Sequence, residues 1–175
     1  GCRCVREVRT ERKMASPPHM LLHRFVFWWS DPENENTFQQ TQGCAFDTVE
    51  QFWELYSWLR RPGDLEKTYL SLFKEGSEPF WEHESNVGGG RVTLQVTKAV
   101  VSNLWEDLIL AFIGGQLPHH DMVTGVVAHI RSTSVNLQLW YQDPQGNTTT
   151  VEQLRDGVVK ALQLPDGAEI SVVSH

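Results

Sequence analysis

At 175 residues the chain is long enough for one domain with a sizeable core. Its hydrophobic fraction of 40% and charged fraction of 21% are those of a soluble globule, and no apolar run approaches the roughly 20 residues of a membrane-crossing helix. A net charge of −7 argues against broad, sequence-blind nucleic-acid binding, which depends on many Lys/Arg–phosphate contacts, so any such ligand must be gripped locally.

Residues 1–18 read as a flexible basic arm carrying Arg3, Arg6, Arg9, Arg12 and Lys13, without the apolar stretch of a signal peptide. Cys2, Cys4 and Cys44 make no paired framework, which points to a reducing compartment, the cytoplasm or the nucleus. Cys2-Arg3-Cys4 is too tightly spaced for half of a zinc site. Leu21 to Trp29 is aromatic and β-branched, a strand in which Trp28 and Trp29 face opposite ways and one of them is core. Asp31 to Asn36 breaks it, and Phe38 follows as a lone apolar residue. Asp47-Thr48-Val49-Glu50 predicts a helix start with Asp47 as N-cap and Glu50 reaching back. Val49, Phe52, Trp53 and Tyr56 then form one apolar stripe, and Arg61-Pro62-Gly63 closes the helix.

Leu70 to Lys74 and Arg91 to Val96 read as strands. Leu104, Leu108, Ala111 and Phe112 mark a second helix that Gly114-Gly115 ends. His119-His120-Asp121 invites a metal reading, but adjacent histidines point apart and no third ligand recurs at a helpful spacing, so a polar loop is preferred. Met122 to Ile130 and Val135 to Tyr141 form a hairpin around Ser132-Thr133-Ser134. Thr149 and Glu152 suggest another capping box, ahead of a stripe of Val151, Leu154, Val158 and Leu162, and Glu169 to Val173 is a last short strand. Hairpin spacing with three interspersed helices predicts an α+β fold, an antiparallel sheet with its helices on one face.

The most informative segment is Glu78-Pro79-Phe80-Trp81-Glu82, ahead of the Gly88-Gly89-Gly90-Arg91 turn. An indole in a loop can stack on a flat ring, most strongly a cationic one. A neighbouring carboxylate can accept two parallel N–H bonds from that ring's edge. Neither a nucleophile elbow nor the clustered acidic ligands of a metal-dependent nucleotide hydrolase appears, so an enzyme acting on nucleotides is disfavoured.

Residues 19–175 resemble the eukaryotic translation initiation factor 4E family, the mRNA cap-binding proteins. The resemblance is carried by Phe46-Asp47-Thr48-Val49-Glu50-Gln51-Phe52-Trp53, Tyr69 to Lys74, Glu78 to Glu82, Gly89-Gly90-Arg91, Ile113-Gly114, and Arg131 with Trp140. It implies a cap-binding domain with a curved antiparallel sheet and three α-helices on its convex face. It further implies that Trp81 and Phe38 sandwich a 7-methylguanine, that Glu82 accepts from its Watson–Crick edge, that Trp140 packs near the added methyl, and that Arg91 and Arg131 hold phosphates. Phe38 stands where the family usually has Trp, and Thr133 and Asn136 where many members carry lysine. On the helical side it implies that His19, Val49, Trp53, Asp107 and Leu110 receive a partner helix, from a scaffold of the initiation factor 4G type or a 4E-binding protein. Read by period alone, Trp53 would instead be core; Trp140 would be core beneath the pocket, and the two arginines solvated. The implied role is a non-enzymatic, monomeric module without cofactor or membrane, acting in initiation or, alternatively, as a cap-binding repressor or storage factor.

Overall fold

A computed structural model describes residues 16–30, 39–143 and 145–175. Its elements run β1 (Met20–Ser30), β2 (Gln40–Thr48), α1 (Val49–Tyr56), a 3₁₀ turn (Pro62–Asp64), β3 (Thr68–Lys74), β4 (Gly90–Thr97), α2 (Lys98–Ile113), β5 (Val123–Ile130), β6 (Ser134–Tyr141), α3 (Thr148–Ala161) and β7 (Ile170–Ser174). Among the described residues the strands form one seven-stranded sheet, ordered β2-β1-β3-β5-β6-β4-β7, with every pairing antiparallel. The three helices lie on its convex face, the α+β architecture expected.

Strand alternation splits the interior in two. Phe25, Phe27, Leu70, Leu72, Leu137 and Leu139 point to the helices, where they meet Phe52 and Tyr56 of α1, Trp105, Ile109 and Phe112 of α2, and Leu154 and Val158 of α3. Each such buried side chain contributes about 1.5–3 kcal/mol of transfer free energy. Val26, Trp28, Phe73, Val127 and Trp140 form a second, smaller cluster on the opposite face. Trp28 is therefore buried on the open face, while Trp29 points to the helix side and is 41% exposed. The register aligns Val26, Phe73, Gly125, Trp140 and Arg91 in one row across five strands. Gly125 is required in that row, because a Cβ there would enter the Phe73 ring.

Both expected capping boxes are displaced. The N-cap of α1 is Thr48, whose hydroxyl accepts from the Gln51 amide at 3.2 Å, and the Gln51 side chain accepts from the Asp47 amide at 3.0 Å. Asp47 is still paired in β2, so the helix begins one residue later than its sequence suggests. Glu50, freed from capping, binds His19. The N-cap of α3 is Asn147, whose side chain accepts from the Thr149 amide, in place of Thr149 with Glu152. Helix α1 ends at Tyr56, before Arg61-Pro62-Gly63; Pro62–Asp64 forms its own 3₁₀ turn. The expected basic arm, 1–18, lies outside the described residues up to residue 15, and residues 17–19 that follow have no regular structure.

Candidate functional site

The second cluster is the floor of a cavity of about 610 Å³ on the face opposite the helices. Trp81, Glu82, Arg91, Arg131 and Trp140 all line it, so residues from four separate stretches of the sequence converge. Phe38, the sixth residue expected there, lies outside the described residues, but Gln39 and Gln40 beside it line the same cavity. Trp81 is 60% exposed, although a free indole ordinarily buries itself. Trp140 is 7% exposed and forms the base. Its indole N–H donates to Gln138 Oε1 at 3.0 Å, which fixes the ring, and Phe73 meets it edge-on with centroids 5.7 Å apart.

The loop carrying Trp81 and Glu82 is held by a residue that sequence reasoning missed. Asn86 is fully buried; its Nδ2 donates to the carbonyls of Glu78 at 2.7 Å and Phe80 at 2.8 Å, and its Oδ1 accepts from the Thr124 hydroxyl at 2.9 Å. One amide thus ties the aromatic turn to β5. The available signal was a short polar residue between an aromatic motif and a glycine run. Gly89 closes the turn where no side chain fits, since a Cβ would enter the Tyr141 carbonyl.

Arg91 projects from β4 beside Trp140, and Arg131 follows β5. Between them on the same face stand Tyr69 and His129, stacked with centroids 4.2 Å apart and planes 11° from parallel, with Asn136 opposite His129 in register. Burial, first, and then the two guanidinium groups hold the His129 imidazole below its ordinary value. Burial raises the Tyr69 phenol, with the same arginines opposing. Thr133 is exposed in the turn and does not line the cavity, whereas Asn136 does.

The residues expected to meet a protein partner lie on the helical side. The His19 amide donates to Glu50 Oε2 at 3.0 Å, its ring Nδ1 sits 2.6 Å from Glu50 Oε1, and its carbonyl accepts from the Val49 amide at 2.9 Å. These bonds dock the chain entering β1 on the first turn of α1. Trp53 is 43% exposed, with its ring edge against Phe52. On α2, Asp107 is exposed and Leu110 half-buried. Arg61 lies 3.9 Å over the Tyr56 ring and 3.9 Å from the Glu106 carboxylate, joining the end of α1 to α2.

The polar-loop reading of His119-His120-Asp121 needs correction in one respect. A third group does exist: His23 from β1 brings its ring nitrogen within 4.8 Å of donor atoms on His120 and Asp121, a proximity that chain spacing conceals. Burial, first, and then the Lys74 ammonium, which bonds the His120 carbonyl at 2.7 Å, depress the His23 imidazole, so a dication in that trio would face a nearby positive charge.

Fold and site define a class: an antiparallel sheet backed by helices, presenting an exposed indole, a carboxylate and paired guanidinium groups on its open face. The family model described as "Eukaryotic initiation factor 4E" matches residues 20–175. The rice protein "Eukaryotic translation initiation factor NCBP" is 36% identical over 163 residues, covering 90% of this chain and 71% of its own. The Drosophila melanogaster "Eukaryotic translation initiation factor 4E1" is 31% identical over 160 residues, covering 86% and 61%. Among solved structures, C. elegans eIF4E-3 in complex with the 4E-binding protein Mextli and cap analog superposes with a TM-score of 0.85 at 28% identity, covering 91% of this chain and 94% of its own. Ascaris suum eIF4E-3 with m7G cap gives 0.84 at 28%, covering 91% and 92%. This chain belongs to the eukaryotic initiation factor 4E family.

Proposed function

We propose that the cavity binds the 7-methylguanosine cap of mRNA without chemical turnover, and that the helical face recruits a protein partner. The observation that carries the reading is the convergence of exposed Trp81, Glu82 and two arginines over the Trp140 floor. Methylation makes the base cationic, so stacking on Trp81 gains a cation–π contribution of about 0.5–2 kcal/mol. The same charge acidifies the ring N–H groups facing Glu82 and strengthens those charge-assisted bonds. Arg91 and Arg131 suit the phosphate bridge because guanidinium is planar and always charged. Phe38 serves as the second stacking ring, smaller than the usual Trp.

The partner is an amphipathic helix, from an initiation factor 4G type scaffold or a 4E-binding protein, seated on Val49, Trp53, Asp107 and Leu110 with His19 at the edge. The role is translation initiation in the cytoplasm. The test is retention on immobilised 7-methyl-GTP: the wild type is retained and Trp81→Ala is not, and a retained Trp81→Ala would refute the stacking assignment. Magnesium added to a cap analogue with the protein should leave the analogue intact.

A further inference from the structure

The phosphate side of the cavity is short of permanent charge. Thr133 and Asn136 are uncharged, which leaves Arg91 and Arg131 as the lining permanent cations among the described residues. His129 stands between them on the cavity wall. Tyr69 of β3 stacks on its ring, Asn136 lies across from it on β6, Gln138 is one step along β6, and Glu82 lines the cavity too. Among the described residues, the influences acting on the imidazole are burial, first, and then the two guanidinium groups.

We propose that His129 is a third phosphate-binding side chain of this pocket, one whose charge is supplied when the phosphates arrive. The inference rests on the cap reading above. In the free protein, burial and two neighbouring cations keep the imidazole neutral at neutral pH. A bound triphosphate bridge places several negative charges beside the arginines. That removes the repulsion and replaces it with attraction, so the imidazole gains a proton from solvent and both ring nitrogens become donors. Binding and proton uptake are then linked: each unit by which the phosphates raise the imidazole is about a tenfold gain in affinity at pH below its free-state value. Tyr69 holds the ring in place for this purpose, since a face stacked at 4.2 Å leaves the ring edge, where the nitrogens lie, free to reach a phosphate oxygen.

The experiment is calorimetric titration of the full chain with the 7-methylguanosine cap dinucleotide, whose bridging phosphates do not titrate near neutrality. It is run between pH 6 and 8 in two buffers of different ionisation enthalpy. The wild type should take up a fraction of one proton more than His129→Gln, and His129→Gln should lose up to about tenfold in affinity at pH 6 and much less at pH 8. His129→Lys should bind at least as tightly as the wild type at pH 8 and lose the extra proton uptake. The nucleoside 7-methylguanosine, lacking phosphates, should bind His129→Gln and the wild type alike. Equal proton uptake in wild type and His129→Gln, with cap binding intact in both, would overturn this inference alone. A wild type that binds neither dinucleotide nor nucleoside would overturn the cap reading and this inference with it.

Discussion

Trp81 and Asn86 divide the work of one loop between contact and support. Trp81 is mostly exposed, so Trp81→Ala should leave the melting temperature nearly unchanged while removing a stack worth about 1–3 kcal/mol, read as a loss of cap affinity by fluorescence quenching. Asn86 contacts no ligand in this reading, yet Asn86→Ala orphans two carbonyls and a buried hydroxyl. Each unsatisfied group costs about 1–3 kcal/mol. Both the melting temperature and cap retention should fall, and Asn86→Asp should not rescue them, because a carboxylate cannot donate to the Glu78 and Phe80 carbonyls. A variant with normal stability and normal retention would show that the loop is held by something else.

The elements separate the two binding faces. Trp53 projects from the same short helix that places Phe52 and Tyr56 in the core. Trp53→Ala should therefore spare cap binding and abolish capture of a partner-helix peptide; loss of both would mark Trp53 as a core residue. Thr48→Ala removes the α1 cap and should cost about 1 kcal/mol of stability by denaturant titration. Chain reading located all three helices and six of the seven strands because their apolar periods were clear. It missed β2, whose Gln40-Thr41-Gln42-Gly43 start carries no apolar alternation and is ordered by pairing with β1. It also misplaced both caps: Asp47 and Thr48 are adjacent good caps and the choice depends on where the β1–β2 ladder ends, and Asn147 caps α3 two residues ahead of Thr149.

Across the whole molecule, protonation of the partly buried imidazoles opposes folding. Burial lowers His23, His129 and His175 from the ordinary 6.5. Between the depressed values and 6.5 the unfolded chain binds more protons than the folded one, so stability rises with pH through that window and is lost on acidification. The melting temperature should increase as the pH rises toward neutrality and then level off; a flat profile would mean that these imidazoles titrate normally. Cap dinucleotide should lessen the slope, because it raises His129 in the folded state.

The local order of residues by itself determined the periodic elements, the aromatic–acid loop and the family. Those signals depend on near neighbours, and a motif of consecutive residues survives without knowledge of the fold. Only the tertiary structure decided which charges share a cavity, that Asn86 anchors the loop, that His23 approaches His120, and that His129 lies between two arginines. Strand pairing brings together residues tens of positions apart, and no spacing along the chain encodes that neighbourhood.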